Sequence, residues 1–414
     1  MPSALTTRLR RLAAFSPAMF LSVILSSRMP LDLTKQLVLR WDQGEPPETL
    51  LKLAGVDAVL QGDAEGLITR GQWPGIRRAP NRRGRGDETA SASREPWVDA
   101  NGYLVALERA LKPGSTPVLG YKADAKAGLA ADRSVPYETL ALALVEARVH
   151  GGNYVLSLET RYREALLKGE EKALAAWKRL GETAAWLRKN AGLFGHPAPP
   201  AITVLVDRGM ATSEIANLLH RRNGSPRLAA AGNMPAPDPT RILALMAASL
   251  NPANLNDAAW DRVWAHARAG TTVVIDSTPD PSWKLVKEEE DRRLFALGGG
   301  HVLAYKKRVA DPSEFALDVI DIVNHRRRPA RLWNANAAIA LATSGRQPGE
   351  GLLHVINYGS PVEAEVQARV QGQYKSALLM RPEGEAKELK TYSRGSATEI
   401  FLPELSLLAC VIFR

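Results

Sequence analysis

Three observations predict an α/β fold followed by an all-β one. From about residue 37 to residue 328, short apolar runs alternate with helical stretches, the pattern of parallel strands joined by helices. A Pro-rich segment, GHPAPPA (residues 195–201), divides that alternation in two. After Pro329 the helical stretches stop. Short alternating runs bounded by Gly, Pro and Ser take over, as in a β-sandwich. At 414 residues the chain has room for two or three domains.

In the first unit, QLVLRW reads as a buried strand, and PPETLLKLAG as a helix opened by a Pro pair and stopped by Gly55. VDAVLQ and GLITRGQWPGI are the next two strands. A long polar stretch follows, GRGDETASASREPWVDANGY (residues 84–103), too irregular to be core. GYLVALERALKPG is an amphipathic helix, TPVLGYK a strand, PYETLALALVEARVHGG a helix with Leu140, Leu144 and Ala147 on one face, and NYVLSLE a strand. A long helix closes the unit, with Leu174, Trp177, Leu180 and Ala184 at helical spacing. In the second unit ITVLVD, TTVVIDS and HVLAYKK are strands, TRILALMAASL is a strand or a buried helix, and SEIANLLHRRN, AAWDRVWAHARAG and PSEFALDVIDIVNHRRR are helices. The triple glycine before HVLAY precedes a strand and reads as a hairpin turn, not a phosphate-binding loop. The expected domains are 29–195, 201–328 and 329–414.

Residues 1–28 are expected to form an export signal: Arg8, Arg10 and Arg11 precede an apolar stretch too short to span a membrane. The protein is secreted or periplasmic if that signal acts, and cytoplasmic otherwise. No transmembrane anchor is expected. The net charge is +10, partly from Arg77, Arg78, Arg82, Arg83 and Arg85 and from Arg326, Arg327 and Arg328. Such runs solvate a face or meet an anionic ligand such as an acidic sugar. No helix-turn-helix, zinc-finger or aromatic RNA-binding signature accompanies them, so a nucleic-acid partner is not expected. The single cysteine, Cys410, lies in an apolar run and excludes an intrachain disulfide. The seven histidines show no ligand spacing, so neither metal nor cofactor is expected.

Three regions resemble glycoside hydrolases of the family 42 β-galactosidase type. ARVHGGNYVLSLE resembles the last barrel helix-to-strand passage. WKRLGETAAWLRKNAGLFGHPAPPAITVLVDRG is similar to the final barrel helix and the first strand of a glutamine-amidotransferase-like domain. LLHVINYGSPVEAEVQARVQG and TEIFLPELSLLACVIF resemble the terminal sandwich. The resemblance implies a partial or shortened β/α (TIM-like) barrel, a flavodoxin-like second domain and a C-terminal β-sandwich. It departs in two ways. Five strands precede Gly195 where a complete barrel has eight. Residues 202–328 hold no Cys, so an amidotransferase-like domain would lack its nucleophile and would serve structure or self-association.

Barrel enzymes carry chemistry at the carboxyl ends of their strands, and glycoside hydrolysis uses two carboxyl groups. Glu159 ends NYVLSLE and is the first candidate, the competing role being a loop ion pair with Arg161 or Arg163. Asp99 or Asp87 in the polar stretch is the second, with helix capping competing at Asp99 and Asn101. Asp42, Asp63, Glu65, Lys122 and Asp124 sit at equivalent strand ends. Trp97, Arg94, Tyr121, Trp73, Asn101 and Trp41 supply the aromatic faces and hydrogen-bonding groups that a sugar requires. The expected function is carboxylate acid/base hydrolysis of a poly- or oligosaccharide. The alternative is a non-catalytic glycan-binding or assembly protein derived from such an enzyme.

Overall fold

The computed structural model describes residues 30–414 except 43, 63, 65, 71–72, 76, 79–96, 99, 122–134, 235, 238–240, 278–281, 325–326 and 336. Leu33–Arg414 pack as one unit.

The first layer contains β1 (Val38–Arg40), α1 (Glu48–Ala54), β2 (Ala58–Leu60), β3 (Leu67–Arg70), the short pair β4 (Arg77–Arg78) and β5 (Trp97–Val98), α2 (Gly102–Leu111), β6 (Val118–Tyr121), α3 (Thr139–Val149), β7 (Asn153–Ser157), α4 (Thr160–Lys168) and α5 (Glu171–Lys189). Five strands form a parallel sheet in the order β2-β1-β7-β6-β3. The first strand pairs with the last, and among the described residues β2 and β3 are not neighbours. Because all five run the same way, their carboxyl ends share one edge. The five strands read from the sequence are these five. Helix α4 carried no strong sequence signal, but its stripe of Tyr162, Ala165 and Leu166 is buried.

Helix α3 reads TLALALVEARV, and every residue but Arg148 is buried. A helix apolar on all sides must be covered on all sides. The parallel sheet covers one side. The other is covered by Leu352, Ile356, Leu408, Cys410 and Ile412, which belong to the same hydrophobic cluster. Helix α5 lies on α1: the Trp177 indole donates to the Leu50 carbonyl at 2.8 Å, and a Cβ on Gly181 would stand 2.5 Å from the Ala54 Cα. Gly181→Ala sets two effects against each other. Alanine is the better helix former by about 1 kcal/mol, but overpacking against backbone costs about 1–3 kcal/mol. Net destabilisation is expected in urea unfolding; a gain would mean that α1 yields freely.

The second layer contains β8 (Ile202–Val206), α6 (Met210–Arg221), β9 (Arg227–Ala230), β10 (Ile242–Leu245), α7 (Asp257–Arg268), β11 (Thr272–Ile275), β12 (Lys284–Glu288), β13 (Arg292–Leu297), β14 (Gly300–Tyr305) and α8 (Pro312–Val323). The sheet order is β12-β13-β14-β11-β10-β8-β9. Its parallel strands run β9-β8-β10-β11-β14, the 2-1-3-4-5 order of flavodoxin-like sheets. The β12–β13 hairpin extends it antiparallel. TRILALMAASL is resolved as a strand, β10, and the triple glycine forms the β13–β14 turn, as the sequence suggested.

The remainder is antiparallel: β15 (Ala330–Trp333), β16 (Ala338–Ser344), β17 (Gly351–Asn357), β18 (Val366–Gln371), β19 (Ala377–Met380), β20 (Lys387–Leu389), β21 (Tyr392–Arg394), β22 (Ala397–Leu402) and β23 (Leu408–Phe413). Its sheets are β15-β18-β22-β21 and β16-β17-β23-β19-β20, enclosing a core that includes Leu353, Val366, Leu379, Leu402 and Phe413. Edge strand β16 is not left open. The Ala340 and Ala342 N–H groups donate to Asn223 Oδ1 (2.7 Å) and Ser225 Oγ (2.9 Å). Both residues that accept these bonds have positive φ, in the loop after α6. Cys410 is buried and free in β23. No helix among the described residues is long and apolar enough to cross a membrane.

Candidate functional site

The carboxyl edge of the first sheet gathers most of the described candidate residues. Trp41 follows β1, Trp73 follows β3, Tyr121 ends β6, and Glu159 lies two residues beyond β7. Most of these side chains face inward. Trp73 is stacked on Tyr121, rings 4.8 Å apart at 17°, and Tyr121 meets Tyr154 edge-on at 5.5 Å. Trp73, Tyr121, Asn101 and Trp41 are all buried. The Trp73 indole N–H has no acceptor among the described residues. Trp41 lies under the Arg163 guanidinium, 5.9 Å from the ring centre. Asp42 binds Arg40 and accepts from the Gly62 N–H. Of Trp97, only its backbone place at the start of β5 is described. Asp87, Arg94 and Asp99 lie outside the described residues, as do Asp63, Glu65, Lys122 and Asp124.

Beneath this edge is a carboxylate that the sequence reading passed over. Glu146, on α3, is fully buried. It accepts from the Asn101 N–H, from the Tyr121 hydroxyl at 3.0 Å and from the Tyr358 hydroxyl at 2.9 Å. Asn101 Nδ2 in turn donates to the Tyr121 hydroxyl at 3.3 Å. Asn101 stands at the start of α2 but makes no side-chain cap; its backbone meets Glu146 instead. Burial pushes the Glu146 carboxyl up to about 7, against the pull of hydrogen bonds from Asn101, Tyr358, Tyr121 and the Gly102 N–H. Burial likewise raises the Tyr121 and Tyr358 phenols. Gly75 lets the Trp73 segment approach: at φ +75° it sits where a Cβ would be 2.8 Å from the Tyr358 carbonyl oxygen. Glu146 thus ties α2, β6 and the loop after β17 to α3. A lone carboxylate within LALALVEARV was the signal for it.

Glu159 is half-buried and opens α4; its Oε2 accepts from the Val135 N–H at 3.3 Å. Val135 borders a groove of about 470 Å³, within the range of small-ligand sites. Its wall includes Tyr137, Glu138, Arg161, Glu170, Lys172 and Arg179. Tyr137 is half-exposed and stacked on Tyr162 at 4.3 Å. Glu138 pairs with Arg179 at 3.1 Å. The groove therefore combines an aromatic face, carboxylates and cations beside the strand end that carries Glu159. Among the described residues, no three His, Cys, Asp or Glu side chains are grouped to hold a metal ion.

A mixed α/β protein with one parallel sheet, one mostly parallel sheet and an antiparallel sandwich, bearing a polar groove at a strand edge, is what these elements define. No protein-family profile and no curated protein sequence matches it. It is similar to solved structures, among them the β-galactosidase from Bacillus circulans sp. alkalophilus, at 10% identity over 92% of this chain and 63% of that one, with a TM-score of 0.49. Another is a GH42 β-galactosidase from G. stearothermophilus, at 10% identity over 88% and 61%, with a TM-score of 0.48. A third is α-L-fucosidase isoenzyme 2 from Paenibacillus thiaminolyticus, at 11% identity over 72% and 60%, with a TM-score of 0.46. The chain spans less than two thirds of the length of each.

Proposed function

We propose that the protein is carbohydrate-active, with the build of a glycoside hydrolase, and that its saccharide lies in the groove beside Glu159. The observation that carries this reading is the groove's position at the carboxyl edge of the parallel sheet, with Tyr137 as a ring-sized apolar face and a carboxylate at the adjoining strand end. Polar side chains around an aromatic face match the mixed surface of a sugar. On this reading the five-stranded layer is a shortened barrel, and the second sheet is an amidotransferase-like domain without its nucleophile. Glu159 acts as one carboxyl of the acid/base pair and Asp99 or Asp87 as the other, while Trp97 and Arg94 orient the sugar.

The test is release of reducing ends from a panel of neutral and acidic polysaccharides, with Glu159→Gln beside the native protein. Loss of a catalytic carboxyl is expected to slow release by about 10²–10⁴-fold. Release that persists in the variant would keep hydrolysis and remove Glu159 from it. A second reading, glycan recognition without hydrolysis, is favoured by the strand number: among the described residues five parallel strands stand where a complete barrel has eight. Glycan binding without release would select it.

A further inference from the structure

The groove beside Glu159 has a charge pattern of its own. Three cations line it, Arg161, Lys172 and Arg179, against two carboxylates, Glu138 and Glu170. Glu138 is taken up by Arg179. The Arg161 and Lys172 side chains are exposed, and neither joins an ion pair or hydrogen bond among the described residues. They come from different elements: Arg161 stands one residue into α4 and Lys172 one residue into α5. The 19-residue helix α5 also carries Arg179 to the same wall. Two free cations from separate helices, facing one cavity that also holds a half-exposed tyrosine face, leave room for an anionic group with a ring attached. Arg presents a planar fork that matches carboxylate and sulfate oxygens, and Lys adds a point charge.

We infer that the groove takes an acidic saccharide, one whose ring bears a carboxylate or a sulfate ester. Arg161 and Lys172 hold the anionic group, and the ring lies toward Tyr137. The inference rests on the reading above that the ligand is a saccharide, and it adds the residues that select the acidic class. Neither cation belongs to the basic runs that first suggested an acidic sugar.

The test is calorimetric binding of four probes to the native protein and to Arg161→Ala, Lys172→Ala and the double variant. The probes are a galacturonic acid trisaccharide, its carboxyl-reduced neutral counterpart, a sulfated galactose trisaccharide, and inorganic sulfate. The variants change exposed side chains only, so folding is expected to be intact, and unfolding curves check this. The native protein should bind an acidic trisaccharide at least about tenfold more tightly than the neutral one, the preference should vanish in the double variant, and raised salt should weaken it. Which acidic probe binds more tightly identifies the anionic group. Equal binding of neutral and acidic probes, unchanged in the variants, would overturn the acidic selection and leave the saccharide reading standing. Inorganic sulfate bound as tightly as either acidic trisaccharide would overturn the inference, because the ring would then contribute nothing. Binding of no saccharide at all would overturn both readings together.

Discussion

Glu146→Ala is expected to destabilise the protein by about 3–5 kcal/mol, a large part of the stability of an ordinary fold. The truncation leaves two buried hydroxyls and a backbone N–H without their acceptor, each costing about 1–3 kcal/mol of desolvation. It also opens a void inside α3. Glu146→Gln keeps the shape and one carbonyl acceptor, and should cost far less at pH 5, where the native carboxyl is protonated. Urea unfolding of the three proteins measures the difference. The pH dependence has a definite sign. The folded carboxyl holds its proton up to about 7, whereas an ordinary Glu loses it near 4.3. The folded state therefore binds more protons between these values. The contribution of Glu146 is full below about pH 4.5 and fades as pH rises through about 7. Glu146→Gln should remove that slope. An Ala variant as stable as the native protein would mean that the surrounding hydroxyls find other partners.

Much of the fold was legible because local signals and tertiary packing agree. Asn153–Ser157 is an apolar run ahead of a helix, buried at every position, and it became the central strand β7. Glu146 stood out only as a lone carboxylate in an apolar helix; its partners were not legible, because the burial of a helix's second face depends on a sandwich that begins about 190 residues later in the chain. Leu140, Leu144 and Ala147 mark one face of α3; only Tyr358 and its neighbours reveal the other. The β12–β13 hairpin escaped for the opposite reason. All five residues of β12 are exposed, so Lys284–Glu288 carries no apolar alternation to read. At the candidate site, the strand-end rule pointed to Glu159, whose Oε2 accepts from the N–H of Val135, a residue that lines the groove. Trp73, Tyr121, Asn101 and Trp41, expected to meet a sugar, have side chains packed inward. A strand-end rule fixes where a residue sits along the strand, not which way it turns. Lys172 and Tyr137 escaped it altogether, since neither follows a strand.

Lowering the pH from 8 to 5 is expected to cost the native protein several kcal/mol, and the cause lies in three of the buried imidazoles. His150, at the end of α3, and His220, in the last turn of α6, have ring centres 5.4 Å apart. His150 donates through Nδ1 to the Glu146 carbonyl (2.8 Å), and His220 to the Ala216 carbonyl (2.7 Å). His354, in β17, donates through Nε2 to the Leu193 carbonyl (2.9 Å) and tilts against Phe194. Burial drives His150 down to about 3, with His220, His354 and Arg109 adding like-charge opposition. Burial also drives His220 and His354 down to about 4. The unfolded chain binds these protons near pH 6.5 and the folded one does not, so stability is full above about 6.5 and falls as the pH falls. At pH 5 each histidine costs about 2 kcal/mol, about 6 together, while Glu146 returns about 2–3. The two terms oppose each other, so the native protein should lose about 3–4 kcal/mol over this range and Glu146→Gln about 6. Unfolding curves from pH 5 to 8 for both proteins read the slopes directly. Parallel slopes would mean that Glu146 is ionised in the folded state. A flat native profile would mean that the three imidazoles accept protons without leaving their places between α3, α6 and β17.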